Sequence, residues 1–270
     1  MLDDTQLSER YAWDGFAFPI RVMETEQAAA YRALLEEAEA IAAQDPDGSS
    51  YFREFANLSL GFVGDILRDR AVTDPVAELL GEDLLVMACN FFIKEAQSTA
   101  YVSWHQDLHY WGLEGNDEVT AWIALSPATR DSGCMRFVPG SHLETVAHVD
   151  TFAEGNLLTR GQEVAVEVDE ADAVAVELEP GEMSLHHGRL FHASDPNRST
   201  DRRIGLAIRY IPTRMQQMDS AALCATLARG EDRFGNFTLV ESGSGLLEAA
   251  DLVRHAQVRD RRRAVLYRET

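Results

Sequence analysis

Three residues of this chain have the types and the spacing needed to hold a metal ion. His105 and Asp107 stand two positions apart, and His192 follows 87 residues after His105. If the His105 segment is extended, the alternation of side chains directs His105 and Asp107 to the same face. Two histidines and one carboxylate fill three of six octahedral positions on a divalent metal and leave three open, as in non-haem Fe(II) oxygenases. The pattern therefore predicts a mononuclear Fe(II) site.

The other histidines near these residues are predicted not to be ligands. His186 and His187 are neighbours in a β-type segment, so they point to opposite faces and cannot both reach one metal with His192. We also expect no ligand role for His109 or His142, although His109 is near enough to Asp107 in sequence to line a pocket.

Several short motifs surround the three predicted ligands in a set order. They are Trp104–Asp107, Thr120–Leu125, Gly133–His142, Pro180–Glu182 and the series His192, Ala193, Ser194, Asn197 and Arg203. With these motifs the chain resembles the phytanoyl-CoA dioxygenase family of Fe(II)/2-oxoglutarate oxygenases. The segment from Tyr11 to Phe16 also resembles the first strand of that family, so the resemblance spans the chain from about Tyr11 to Pro212.

The resemblance implies a mainly β fold with flanking helices, built on a double-stranded β-helix, the cupin-type jelly roll. It also implies Fe(II), 2-oxoglutarate and O2 as cofactor and cosubstrates, and a C–H bond of the substrate as the target of hydroxylation. Halogenating relatives lack the carboxylate ligand, because a halide occupies that position on the metal. Since Asp107 is present here, halogenation is not the expected reaction. A non-catalytic cupin-like binding protein would be expected to lack a metal ligand or the arginine that anchors 2-oxoglutarate, and this chain lacks neither.

The resemblance further assigns three residues to 2-oxoglutarate. Arg203 lies eleven residues after His192, the family's spacing for the arginine that holds the distal carboxylate. A guanidinium pairs with a carboxylate through two parallel hydrogen bonds, which orients the cosubstrate. The neighbouring Arg202 is expected to point outward. Ser194 and Trp122 occupy family positions that contact the same cosubstrate, with a purely structural role left open for Trp122.

Five further residues are predicted to line the substrate pocket. Its proposed residues follow the ligand Asp107 or lie on flanking strands, and they are Lys94, His109, Tyr110, Trp111 and Arg136. The alternatives stay open, because the aromatic residues could cover the core and the two cations could be surface charges.

Charge narrows the partners of the protein. A net charge of −21 argues against nucleic acid, which demands concentrated Lys and Arg. The exception is the arginine-rich segment 259–268, which we interpret as a helix face pairing with the protein's own acids rather than a site for an anionic partner. Long-range repulsion of CoA phosphates favours a small polar metabolite as substrate, with an acyl-CoA as the alternative.

Length and composition favour one cytoplasmic domain. The 270 residues contain no linker-like stretch, no apolar run long enough to cross a bilayer and no secretory signal pattern at Met1. We expect no membrane association. The three cysteines lack a C-x-x-C pair and are predicted to be buried free thiols at Cys89, Cys134 and Cys224.

Local patterns divide the chain into a mostly helical brace at 1–83, a jelly-roll core at 84–212 and a helical part at 213–270. Predicted helices cover 25–44, 58–70, 74–80, 220–223 and 246–267. The third of them has Thr73 or Asp74 as its cap and Gly81 as its end. Strand patterns run from Leu84 to about Ile211, and segments 163–168 and 173–178 are predicted as two strands around the acidic loop 169–172, which faces water.

Overall fold

The computed structural model describes residues 4–158, 162–218 and 223–266, with side chains at all of these except 4–6, 109, 110, 162, 265 and 266. The chain divides into two compact units. The first contains residues 1–29, 92–109 and 122–205, and the second contains 30–91, 110–121 and 206–270. The single domain expected from the sequence stays a prediction.

Most of the helices in the described residues precede the first long strand. The α-helices are α1 Asp4–Asp14, α2 Thr25–Ala42, α3 Ser50–Arg53, α4 Ala56–Ser59, α5 Gly61–Ile66, α6 Arg70–Leu80 and α7 Ala249–Leu266. Short 3-10 turns lie at Asp107–Tyr110, Ser141–Leu143 and Glu170–Asp172.

The strands form two principal sheets. They are β1 Phe16–Arg21, β2 Leu84–Lys94, β3 Val102–His105, β4 Leu113–Glu114, β5 Val119–Ala124, β6 Met135–Phe137, β7 His148–Asp150, β8 Gln162–Val164, β9 Val174–Val176, β10 Glu182–His187, β11 His192–Ser194, β12 Arg203–Pro212, β13 Gln216–Gln217, β14 Cys224–Arg229 and β15 Thr238–Leu239. The larger sheet has the order β1-β10-β5-β12-β2-β14-β15, and the smaller has β3-β11-β6-β9. This mainly β architecture with flanking helices agrees with the predicted jelly-roll core.

The predicted helices of the N-terminal part are present with changed bounds. The helix predicted over 58–70 is divided into α4 and α5. α2 coincides with the helix predicted over 25–44. α6 begins at Arg70 rather than at Asp74, because the side chain of Asp69 accepts a hydrogen bond from the backbone N–H of Ala71 and caps the helix there. Pro75 therefore lies inside the helix. Tyr11 belongs to α1 rather than to the first strand, which begins at Phe16.

The C-terminal part is less helical than predicted. β14 pairs antiparallel with β2, placing Thr226 opposite Val86. This distant edge supplies backbone partners that local sequence does not reveal. The helix predicted over 220–223 lies mostly outside the described residues, whereas the helix predicted over 246–267 is confirmed as α7.

The arginines of α7 contact the protein itself, as the sequence predicted. Arg263 pairs with Glu54, and Arg259 pairs with Asp47 at 3.5 Å. Val258 of the same helix is buried in a cluster with Phe55, Leu58 and Cys224.

The two strands predicted around the acidic loop do not pair with each other. β8 pairs with β7, whereas β9 pairs with β6 in the smaller sheet. The two predicted strands are therefore present but shorter than predicted, and each pairs with a partner elsewhere in the chain. The loop itself is exposed, as expected.

Two other predictions concern composition. All three cysteines are buried and free, as predicted. Among the described helices, none is both long enough and apolar enough to cross a membrane.

Candidate metal and cosubstrate site

The three predicted metal ligands meet at the ends of two paired strands. His105 is the last residue of β3 and His192 is the first of β11, and the antiparallel register places them directly opposite each other. One ligand atom from each of His105, Asp107 and His192 lies within 4.8 Å of the others. These residues are 4%, 7% and 6% exposed, respectively. Within the described residues this is the one such cluster of His, Cys, Asp and Glu.

Asp107 lies in a turn and not, as predicted, on the same strand as His105. It begins the 3-10 turn that follows β3, so it is not on the strand with His105. The turn nevertheless brings Asp107 Oδ1 to 3.3 Å from His105 Nε2. The predicted proximity of the two side chains is therefore correct, while the strand-face reason for it was wrong.

Backbone carbonyls set the orientation of both histidine rings. His105 Nδ1 lies 2.9 Å from the carbonyl oxygen of Ser103 and 3.1 Å from that of His192, and His192 Nδ1 lies 2.9 Å from that of Leu190. A carbonyl can only accept, so each Nδ1 carries a proton and each Nε2 presents a lone pair. Two imidazole nitrogens and a carboxylate oxygen held this way fit a first-row divalent metal.

Arg203 is buried on β12 beside an indole ring. It is 1% exposed, and its guanidinium lies over Trp122 with 5.2 Å from Cζ to the ring centroid. Gly205 makes room for this ring, because a Cβ there would lie 1.7 Å from Trp122 Cζ2. Within the described residues, no hydrogen bond or ion pair is formed by the guanidinium, and its Nε is buried without a partner. Burial lowers the pKa of Arg203 to about 10.

Arg202 differs from its neighbour in direction and environment. It forms a bidentate contact with Glu95, with Nη2 to Oε1 at 2.9 Å and Nε to Oε2 at 2.9 Å. Its side chain is 20% exposed and that of Glu95 is 64% exposed. The two arginines thus point to opposite sides of the chain, as expected for adjacent residues at the start of a strand.

Lys94 is buried beside Ser194 rather than exposed on the surface. Its ammonium nitrogen lies 2.7 Å from Ser194 Oγ and donates to the carbonyl oxygen of Asp195. Burial lowers the pKa of Lys94 to about 6, and the nearby Arg203 charge lowers it further in the same direction. Lys94 therefore sits with two of the three residues predicted to hold 2-oxoglutarate.

The remaining predicted substrate residues have different surroundings. Arg136 pairs with Glu170 at 2.9 Å and Asp195 at 3.0 Å and lies over the ring of Trp104. These ion pairs occupy Nη1 and Nη2, whereas Nε is buried without a hydrogen-bond partner among the described residues. The side chains of His109 and Tyr110 lie outside those that the structure describes.

Trp111 contacts an arginine that the sequence analysis missed. The Arg209 guanidinium lies 5.7 Å from the Trp111 ring centroid, and Nη1 donates to Asn90 Oδ1 at 3.2 Å. Asn90 is itself oriented, because its Nδ2 donates to the carbonyl oxygen of Arg53 at 2.6 Å. The available signal was the even spacing of Arg209 from Arg203, which places both on one face of a strand.

Of the histidines predicted not to be ligands, His142, His186 and His187 lie outside the three-residue cluster. The His186 ring packs between Phe137 and His192, at 5.0 and 4.8 Å between centroids. His187 instead contacts the rings of Tyr11 and His142, consistent with opposite faces of β10.

Comparison with known proteins places this arrangement in a family. The profile of the phytanoyl-CoA dioxygenase (PhyH) family matches residues 11–205. The chain belongs to the PhyH family. This confirms the resemblance inferred from the sequence to a family of Fe(II)- and 2-oxoglutarate-dependent dioxygenases, whose members act on small molecules.

Two curated relatives match part of the chain. A protein named probable alpha-ketoglutarate-dependent hypophosphite dioxygenase from Stutzerimonas stutzeri is 29% identical over 161 residues, which are 58% of this chain and 55% of the relative. A probable phytanoyl-CoA dioxygenase from Caenorhabditis elegans is 29% identical over 147 residues, 52% of this chain and 47% of the relative. The chain thus spans about half the length of these relatives.

Solved structures match almost the whole chain. The apo form of the non-heme monooxygenase ThoJ superposes with a TM-score of 0.87 at 33% identity, covering 96% of this chain and 97% of ThoJ. CytC3 with Fe(II) and alpha-ketoglutarate has a TM-score of 0.63 at 22% identity over 89% of this chain and 94% of CytC3. This second likeness concerns the fold.

Proposed function

We propose that this protein hydroxylates a C–H bond of a small polar metabolite, with release of succinate and carbon dioxide. In this proposal His105, Asp107 and His192 hold the Fe(II). Iron, when bound, supplies the oxidative chemistry together with 2-oxoglutarate and O2. The chain supplies the ligand geometry, the orientation of the cosubstrate and the exclusion of water.

The buried guanidinium of Arg203 carries this proposal. A charge removed from water is costly unless an anion accompanies it, and no described side chain forms an ion pair with Arg203. The distal carboxylate of 2-oxoglutarate would supply that anion through two parallel hydrogen bonds. Trp122 would fix the plane of the guanidinium, while Ser194 and the neighbouring Lys94 would add polar contacts to the same cosubstrate.

The contacts of the arginine-rich helix support a small substrate over a CoA thioester. CoA carries several phosphate charges and would need a cluster of available cations in a protein of net charge −21. The dense basic run is in α7, where Arg259 and Arg263 pair with the protein's own acids. Arg261 and Arg262 contact the sulfur of Cys224 and the carbonyl oxygen of Met87.

Lys94 and Arg136 stay our proposed cations for an acidic group of the substrate. Lys94 lies at Ser194, and Arg136 is held by two acids and lies over the ring of Trp104. Lysine and arginine side chains suit a carboxylate or another oxyanion. A small oxyanion is also the substrate in the name of the Stutzerimonas stutzeri relative.

The test is succinate release by the protein loaded with Fe(II) and supplied with 2-oxoglutarate. Amino acids, osmolytes, phosphonates and hypophosphite would be compared with acyl-CoAs, and at least one small polar compound should stimulate release. His192→Ala should abolish both iron retention and stimulation, whereas His142→Ala serves as the matched histidine control. Stimulation by acyl-CoAs alone would overturn the substrate proposal. Metal and 2-oxoglutarate binding without succinate from any compound would favour a binding protein.

A further inference from the structure

Gln106 stands between two of the metal ligands and is almost fully buried. Its side chain joins three separate parts of the chain. Nε2 donates to the carbonyl oxygen of Glu144 at 2.7 Å and to that of Arg189 at 2.6 Å, while Oε1 accepts from the backbone N–H of Val146 at 3.3 Å. The amide thus uses both of its N–H donors and its oxygen acceptor. A buried amide group without these partners would destabilise the folded protein.

The backbone of Gln106 contacts the same loop. Its N–H donates to His148 Nε2 at 3.0 Å, and His148 Nδ1 lies 3.1 Å from the carbonyl oxygen of Val146. The carbonyl fixes the protonated nitrogen at Nδ1, which leaves Nε2 as the acceptor for Gln106. The segment 144–148 is therefore held to Gln106 by both its side chain and its backbone.

The bond to Arg189 reaches the third ligand. Arg189 lies three residues before His192, in the turn whose next carbonyl, that of Leu190, accepts from His192 Nδ1. A single amide therefore joins the segment that carries His105 and Asp107 to the turn that orients His192. We infer that Gln106 is a positioning residue that sets the spacing of the three ligands and so the affinity for the metal.

The chemistry of the amide explains why other residues should fail. Glutamate has the same length, yet its carboxylate would face two carbonyl oxygens at 2.6 and 2.7 Å, where only donors are accommodated. Methionine preserves the volume of the side chain and loses its three hydrogen bonds to Glu144, Arg189 and Val146. Both changes leave the ligands themselves untouched, so a loss of metal affinity would come through their positions.

The inference rests on the proposed metal site, and its test measures metal binding rather than turnover. Co(II) is the probe, with its affinity taken from competition against a chelator and its coordination from visible absorption. Gln106→Glu and Gln106→Met should weaken Co(II) binding about 10- to 100-fold and alter the absorption, as losses beside metal ligands typically do. His148→Phe, which removes the acceptor of the Gln106 N–H and the Nδ1 donor to Val146 but leaves the Gln106 amide intact, should have a smaller effect in the same direction and is a milder variant should the others not fold.

The matched control is Asn57→Met, which removes another buried amide. Asn57 donates to Thr226 Oγ1 at 3.0 Å, and neither residue is near the ligands in sequence. This variant should lose thermal stability and keep the parent's Co(II) affinity and spectrum. Gln106 variants that lose stability but bind Co(II) within about two-fold of the parent would show a merely structural role and overturn the inference. A parent that binds no Co(II) would instead refute the proposed metal site.

Discussion

Replacing Arg203 with methionine should raise the stability of the ligand-free protein while removing its affinity for 2-oxoglutarate. Methionine keeps an unbranched side chain of similar length and removes the charge. The parent guanidinium is 1% exposed and lacks an ion pair among the described residues. Its guanidinium lies over Trp122, with 5.2 Å from Cζ to the ring centroid, and this cation–π contact offsets part of the cost of burial.

The expected magnitudes follow from these surroundings. The desolvation of a buried ion costs several kcal/mol, and a desolvated cation–π contact returns about 2 kcal/mol. The substitution should therefore stabilise the ligand-free protein by about 1 to 4 kcal/mol, with a rise in Tm of about 2 to 4 °C for each kcal/mol. Loss of one partner of a buried charged pair costs about 2 to 5 kcal/mol of binding, or about 30- to 4,000-fold in the Kd of 2-oxoglutarate.

Two measurements and one control separate these effects. Tm would be measured by calorimetry without metal or 2-oxoglutarate, and Kd by titration of 2-oxoglutarate into metal-loaded protein without O2. Arg202→Met is the control, because its exposed pair with Glu95 contributes only about 0 to 1 kcal/mol. The reasoning is refuted if Arg203→Met lowers Tm, or if its Kd changes no more than that of Arg202→Met.

Two further predictions concern the surroundings of Arg203. Gly205→Ala places a Cβ 1.7 Å from Trp122 Cζ2, so the indole ring must move. We expect a changed indole fluorescence and at least about tenfold weaker binding of 2-oxoglutarate. If both measurements match those of the parent, the described packing of Gly205 against Trp122 is contradicted. Burial lowers the pKa of Lys94 to about 6, so its amine is mostly neutral at pH 7.5. The carboxylates of 2-oxoglutarate should raise that pKa, so the protein should take up protons when 2-oxoglutarate binds. Calorimetric titration in two buffers of different ionisation enthalpy measures this uptake, which Lys94→Met should abolish; equal enthalpies for the parent in both buffers would contradict the prediction.

The elements that sequence predicted well are those with a local signal. α2 has a run of strong helix formers, and β2 has a long apolar β-type run, so neither depends on distant partners. β14 and the pairings of β8 and β9 were missed or misassigned because they depend on strands far away in the chain. The start of α6 was predicted wrongly, since Thr73 or Asp74 was predicted as the cap although Asp69 caps the helix.

The metal site was easier to predict than its geometry. The residue types and motif order were enough to select His105, Asp107 and His192, because the chemistry of the metal limits the ligands. The turn that brings Asp107 to His105 was not visible, and neither was the role of Gln106 between them. That role depends on carbonyls 38 and 83 residues away, which a sequence pattern does not bring together.

The surroundings of the cationic side chains could not be predicted from the sequence. Lys94 and Arg136 were equivalent in the sequence, yet Lys94 lies at Ser194 while Arg136 is held by Glu170 and Asp195. β12, in contrast, has Arg203 and Arg209 six residues apart on one face, with only glycine and alanine at the alternate positions between them. Each guanidinium lies over an indole ring, so both are held flat while their edges stay suited to an oxyanion. The two environments differ in one respect that decides the assignment, because Arg209 donates to Asn90 whereas Arg203 forms no hydrogen bond among the described residues, and this supports Arg203 as the proposed partner of the distal carboxylate of 2-oxoglutarate.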